Sequence, residues 1–112
     1  MKEIKAFVKP SRIQKVIDAL IEGGFKSMTL SQAEGTGAFK AIGAKPSLNF
    51  HITGSPVIKI ELVCQNEEAQ SAIDIILENG KTPDSGDGII YLTDIEDAFQ
   101  IKSGQSLKRH DL

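Results

Sequence analysis

The chain has 112 residues, of which 40% are hydrophobic and 25% charged, and a formal net charge of -2. That length supports one domain with a single core, and those fractions exclude a disordered or collagen-like chain. A slightly acidic balance and the absence of Trp exclude a broad nucleic-acid footprint or an aromatic platform for single strands. The one cysteine, Cys64, allows no internal disulfide and suits a reducing compartment. Met1-Lys2-Glu3 runs straight into a strand pattern with no leader-like apolar segment, and no apolar run approaches membrane-spanning length. A cytoplasmic setting without membrane insertion is therefore expected.

In chain order, Lys2 to Val8 alternates Ile4, Ala6 and Val8 against Glu3, Lys5 and Phe7, which predicts a half-buried strand. Pro10-Ser11 ends it. Ser11, with Gln14 three residues later, makes a capping-box pattern. Ile13, Val16, Ile17, Leu20 and Ile21 then recur at helical spacing until Gly23-Gly24 stops the helix. Met28 to Glu34 reads as a second strand. From Gly35-Thr36-Gly37 onward the apolar periodicity is lost until Val57. So long a connection inside a compact domain points to binding or regulation. The residues it offers to a partner are Lys40, Lys45, Phe50 and His51.

Val57 to Cys64 alternates again, with Ile58, Ile60, Leu62 and Cys64 opposite Lys59, Glu61 and Val63. Asn66 is placed to cap a second helix whose stripe is Ala69, Ala72, Ile73, Ile76 and Leu77, closed by Asn79-Gly80. The segment KTPDSGDG, Lys81 to Gly88, is built almost wholly of turn formers. Ile89 to Leu92 predicts a fourth strand, Thr93 a cap for a short turn through Ala98, and Phe99 to Lys102 a fifth strand. The organisation is thus a single domain over 1–112, with a loop insertion at about 36–56 and a polar tail at about 103–112.

Two successive β-α-β halves are the signature of an α+β, ferredoxin-like βαββαβ domain, a four-stranded antiparallel sheet with both helices on one face. Phe7, Val63 and either Ile89/Tyr91 or Ile90/Leu92 would line the other face. Such a patch predicts an oligomer interface.

Catalytic chemistry is hard to assemble from these residues. No GxSxG elbow is present, and Cys64 falls on a core-facing strand position. The carboxylates Asp84, Asp87, Asp94, Glu96 and Asp97 fall where turns and caps are needed. A slow nucleotide hydrolase would need Asp87 or Glu61 to position water, and neither has a second partner in the sequence. The glycine pairs are the stronger signal. Gly35-Thr36-Gly37 leaves one strand and Gly86-Asp87-Gly88 enters another, and backbone amides in such turns converge on phosphate oxygens.

The opening MKEIKAFVKPSRIQKVIDALIEGGFKSMTLSQAEGTG resembles the N-terminal half of the PII signalling proteins. PVIKIELVC resembles the strand that follows their T-loop, and SGDGIIYLTDIEDAFQIKSGQ resembles their C-terminal signature. These three motifs lie in the family's order and cover nearly the whole chain. The resemblance implies a homotrimer that binds an adenine nucleotide in each cleft between subunits and reaches a membrane transporter or an enzyme through the T-loop. It places Thr29, Gly35, Thr36, Gly37 and Cys64 near adenine and ribose, Gly86, Asp87 and Gly88 in the loop that cradles phosphate, and Lys102 within reach of it.

Departures from the family fall on its charged positions. The usual Phe between the loop glycines is Thr36, and the Arg-Gln-Lys that follows them is Ala38, Phe39 and Lys40. Ile89 replaces the lysine after Gly-Asp-Gly, Gln100 an arginine, and Lys102 another arginine. Each hydrogen bond to a charged group contributes about 1.5–3 kcal/mol, so the loss of three cations disfavours a triphosphate. AMP or ADP is expected over ATP, with Lys40, Lys108 or Arg109 of a neighbouring chain restoring some charge. Phe39 and Val57 replace the glutamine and lysine on which a 2-oxoglutarate response relies, and the loop has no tyrosine for uridylylation. The pattern resembles the divergent branch found beside heavy-metal efflux components and other transporters.

The leading expectation is a non-catalytic regulator that binds an adenine nucleotide. The alternative is a metal-responsive regulator or partner of an efflux system, with His51 and His110 as the residues to test; lone loop histidines have no ligand spacing behind them.

Overall fold

The computed structural model describes residues 1–108. Its elements are β1 (Lys2–Val8), α1 (Ile13–Glu22), β2 (Thr29–Gly35), a 3-10 turn (Gly37–Phe39), β3 (Lys45–Pro46), β4 (Thr53–Cys64), a second 3-10 turn (Asn66–Glu68), α2 (Ala69–Gly80) and β5 (Ile90–Asp94). The sheet runs β2-β4-β1-β5 with every pairing antiparallel, and β3 pairs with the start of β4. Both strands of the first half therefore flank β4. This is the ferredoxin-like α+β plan that the repeated β-α-β pattern predicts.

The alternation of β1 and β4 decides which face is covered. Ile4 and Ala6 stand opposite Leu62 and Ile60, and these side chains pack beneath Val16 and Leu20 of α1 and Ala72 and Ile76 of α2. Ile4, Leu20, Ile60 and Val16 are fully buried. Full burial of an aliphatic side chain of this size is worth about 1.5–3 kcal/mol. Helix α1 ends in a Schellman motif: Gly24 N–H bonds Ile21 O at 3.0 Å, and Phe25 N–H bonds Leu20 O at 2.8 Å. Gly24 takes φ +97°, and Phe25 turns inward to close the core.

Several boundaries differ from the sequence pattern. Ser11 does not cap α1. A tight turn, Arg12 N–H to Lys9 O at 2.9 Å, follows Pro10 and delays the helix to Ile13, while Gln14 bonds Asp18 one turn on. Asn66 likewise makes no side-chain cap; it opens the 3-10 turn that leads into α2. Strand β4 starts at Thr53, four residues before Val57. Pro56 is tolerated because β1 ends opposite Ile58, so this part of β4 has β2 on one side and no β1 partner on the other. Strand β5 continues through Thr93 to Asp94, so Thr93 does not cap a turn. Phe99 to Lys102 does not join the sheet. It forms one arm of a small hairpin in which Phe99 bridges Ser106 and Gly104 takes φ +69°.

The other sheet face carries Glu3, Lys5 and Phe7 of β1, Val57, Lys59, Glu61 and Val63 of β4, and Tyr91, which lies opposite Lys5 on β5. Of the two predicted pairs, Ile89/Tyr91 is the one on this side; Ile90 packs against the core. Charges here are paired along the strands, Lys5 with Glu3 at 3.9 Å and Lys59 with Glu61 at 3.1 Å. Among the described residues no helix is long and apolar enough to cross a membrane.

Candidate functional site

Two glycine turns meet at one end of the sheet. Gly35 closes β2 and stands opposite Ser55 of β4. A side chain at Gly35 would place its Cβ 2.3 Å from the Cβ of Phe39, so only glycine fits beneath that residue. Thr36 then anchors the turn by donating its hydroxyl to Thr53 O at 2.8 Å, and Gly37 starts the 3-10 turn at φ +63°. The chain is pinned again at Ala41, whose N–H bonds the buried Ser55 Oγ at 2.9 Å.

The second turn approaches from the opposite side. Gly86, at φ +88°, lies so close to Lys40 that a Cβ would sit 2.6 Å from its carbonyl oxygen. Gly88, at φ +93°, is tighter still: a Cβ would be 2.1 Å from Phe7 O. Both glycines are needed for positive φ and for close backbone approach. Between them Asp87 is engaged inside its own loop. Its Oδ1 accepts from Thr82 Oγ1 at 2.6 Å and its Oδ2 from Thr82 N–H at 2.9 Å. Lys9 Nζ lies 3.3 Å from Asp87 Oδ1 and donates to Thr82 Oγ1 at 2.9 Å. Burial pushes the Asp87 carboxyl up, but the Thr82 bonds and the Lys9 ammonium outweigh it and hold the group below the usual carboxylate range. Asp87 is thus a fastener of the turn rather than a residue aimed at solvent chemistry.

An aromatic cluster joins the two turns. Phe7 packs edge-on against Phe39 with ring centroids 5.2 Å apart, and against Tyr91 at 5.5 Å. The Phe39 side chain also lies over Gly35 beside Val57. Phe39 and Val57 therefore both lie against Gly35.

Thr29, Cys64 and Lys102 lie elsewhere. Thr29 opens β2, six residues from Gly35, a separation of about 20 Å along a strand. It borders a cleft of about 550 Å³ lined also by Glu3, Lys26, Met28, Glu61 and Val63. Cys64 ends β4 opposite Lys2, at that same end of the sheet, with its side chain among the core residues at 3% exposure. Burial, and secondarily the Glu68 charge, raise its thiol pKa, which makes it a poor nucleophile. Lys102 is exposed in the hairpin that follows β5, whose last residue, Asp94, also stands opposite Lys2. That hairpin is tied down by Asp97, which accepts from Ser106 Oγ at 2.7 Å; the bond holds the Asp97 carboxyl below its usual range. One chain accordingly carries two separated sets, with Gly35–Gly37 and Gly86–Gly88 at one end and Thr29 and Cys64 at the other, while Lys102 stands in the hairpin after β5.

The loop residues Lys40, Lys45, Phe50 and His51 are all exposed. Its tip is organised by Ser47 Oγ, which accepts from the N–H groups of Asn49 and Phe50 at 3.0 Å each. Among the described residues no three His, Cys, Asp or Glu side chains converge on a metal-binding position. His110 and Arg109 lie outside the described residues. Lys9, Thr82 and Ser55 are the residues that sequence reasoning passed over. The Lys-Pro turn and the threonine of KTPDSGDG were their only local signals.

The profile of the family described as nitrogen regulatory protein P-II matches residues 1–105. The chain is 35% identical over 111 residues to the nitrogen regulatory protein P-II of Bradyrhizobium diazoefficiens, an alignment that covers 95% of this chain and 96% of that protein. It is 34% identical over 110 residues to the P-II protein of Azospirillum brasilense, covering 94% and 95%. Against nitrogen regulatory protein P-II 2 of Methanothermobacter thermautotrophicus the identity is 30% over 112 residues, covering 97% and 96%. With the fold, the paired glycine turns and these likenesses in agreement, the chain belongs to the nitrogen regulatory protein P-II family.

Proposed function

We propose that this protein is a non-catalytic signalling regulator that binds an adenine nucleotide, AMP or ADP in preference to ATP, in clefts between the subunits of a homotrimer. It acts on a membrane transporter or an enzyme through the loop between Gly35 and Val57. The observation that carries the reading is the split of the candidate residues. Two turns of close-packed glycines lie at one end of the sheet and Thr29 with Cys64 at the other, too far apart for one nucleotide to touch both within a chain. A cleft between chains, with the glycine end of one subunit facing the Thr29 end of the next, completes a single site. The open sheet face, with Phe7, Val63 and Tyr91 among paired charges, is the surface that such an assembly would cover.

The preference for a less charged ligand follows from the cations near the turns. Lys9 is engaged by Asp87, and Ile89 stands directly after Gly88. Lys102 is then the cation that the second chain brings. Titration calorimetry with AMP, ADP and ATP, run beside sedimentation velocity on the full chain, tests the proposal. A trimer that binds AMP or ADP more tightly than ATP is the expected result. A protein that takes up no adenine nucleotide at millimolar concentration overturns it.

A further inference from the structure

We propose that Lys9 and Thr82 are positioning residues for the phosphate of the bound ligand, fixing the Gly86–Gly88 turn and cancelling the carboxylate that stands within it. The assignment rests on the nucleotide reading above and adds the turn between β1 and α1 to that site. Four contacts knit residues 7–12 to residues 79–89. Phe7 N–H bonds Ile89 O at 3.1 Å, and Arg12 Nε donates to Asn79 O at 3.2 Å. Between them Lys9 Nζ donates to Thr82 Oγ1 at 2.9 Å and lies 3.3 Å from Asp87 Oδ1. The Lys9 side chain is only 12% exposed, so its ammonium is committed to these partners rather than to water. The Thr82 hydroxyl is fully used: it donates to Asp87 and accepts from Lys9 and from Asp84 N–H.

This clasp bears on an anion in two ways. The backbone N–H groups of Gly86, Asp87 and Gly88 have no acceptor among the described residues, and both glycines take positive φ. Free amides in such a backbone are the material of an anion nest, provided that the turn is held in one shape. The Asp87 carboxylate between the glycines would oppose an anion arriving there. Both of its oxygens are drawn onto Thr82, and Lys9 balances its charge. Coulomb repulsion scales with the charge of the ligand, so without Lys9 the penalty would rise with each phosphate and be absent for a neutral nucleoside. Lys9 and Thr82 need not touch the ligand for this; they act through Asp87.

The test compares Lys9→Met, which removes the charge, with Lys9→Arg, which keeps it, and Thr82→Val with Thr82→Ser in the same way for the hydroxyl. Calorimetry on the full chain measures affinities for adenosine, AMP and ADP, with thermal unfolding checked alongside. Lys9→Met is expected to weaken ADP about tenfold, AMP less, and adenosine by less than about twofold, the first figure being that of one interaction with a charged group. Thr82→Val is expected to follow the same order by a smaller factor, and Lys9→Arg and Thr82→Ser to stay within about threefold of wild type. An equal loss for all three ligands marks a merely structural role and overturns the assignment, as does an unchanged ADP affinity in Lys9→Met. If Lys9→Met does not fold, the Thr82 pair decides by the same comparison. Failure of the wild-type protein to bind any of the three overturns the functional reading and this assignment together.

Discussion

At the scale of single residues, the two glycine turns owe their shape to different causes, and substitution separates them. Gly88 combines positive φ with a backbone oxygen 2.1 Å from any added Cβ, whereas Gly37 has positive φ and open space around it. Gly88→Ala is expected to cost about 3 kcal/mol and Gly37→Ala about 1 kcal/mol, read as the shift in urea unfolding. Equal costs would show that contact at Gly88 is relieved by movement of β1. Asp87 supplies a pH dependence of definite sign. Its folded pKa lies below the unfolded value of about 3.9, so its contribution is complete above that value and is lost as pH falls through the folded one. Thr82→Val removes the hydroxyl that depresses the group, so the acid unfolding midpoint should rise by comparison with wild type, with a loss of about 1 kcal/mol at neutral pH. A midpoint that stays in place or falls would show that Thr82 is not what holds Asp87 ionised. The glycines and Asp87 were legible in the sequence as turn chemistry. Lys9 was not, because its partner Thr82 is 73 residues away and only the closed sheet brings them together.

At the scale of elements, legibility followed the length and regularity of the pattern. Strand β1, both helices and the body of β4 were plain from their periodicity, since each has one face committed to the core. The ends were less readable because tertiary context overrode local signals. Gly54 and Pro56 look like loop residues, yet Gly54 pairs with Lys45 of β3 and Pro56 with Glu34 of β2, in a part of β4 that has no β1 partner. Ser11 has the right spacing from Gln14 for a capping box, but the turn at Lys9–Arg12 puts Arg12 at the N-cap position, so Ser11 stands one residue too early to cap the helix. Ser11→Ala should accordingly change stability by less than about 0.5 kcal/mol, against about 1 kcal/mol for a working N-cap. A thermal melt distinguishes the two, and the larger loss would restore Ser11 as the cap. Phe99 to Lys102 has the composition of a strand, but Gly104 N–H bonds Gln100 O at 2.8 Å and folds the segment back before it reaches the sheet.

At the scale of the molecule, the helices cover one face of the sheet and leave the other open. Val63 faces that side beside Glu61 in the lining of the Thr29 cleft, remote from the glycine turns. If the proposed trimer closes over this face, Val63→Glu should disperse it to monomers in sedimentation velocity while the circular dichroism spectrum of the fold persists. A variant that remains trimeric would exclude this face as the interface. In the proposed trimer the site would be only half legible in the sequence: its two ends can be read in one chain, but their facing one another would be a property of two. The hydrogen bond between Ala41 N–H and Ser55 Oγ has a wider meaning in this light. It closes a neck beneath the loop, and residues 42 to 52 lie beyond it as a cassette that touches β2 where Asn49 Nδ2 donates to Glu34 Oε1 at 3.3 Å. The two glycine turns lie on the near side of that neck. Under the function proposed above, the segment beyond the neck could be lengthened, shortened or rewritten for a new target without altering the glycine turns below it, so recognition of a partner and recognition of a small molecule would be free to diverge independently.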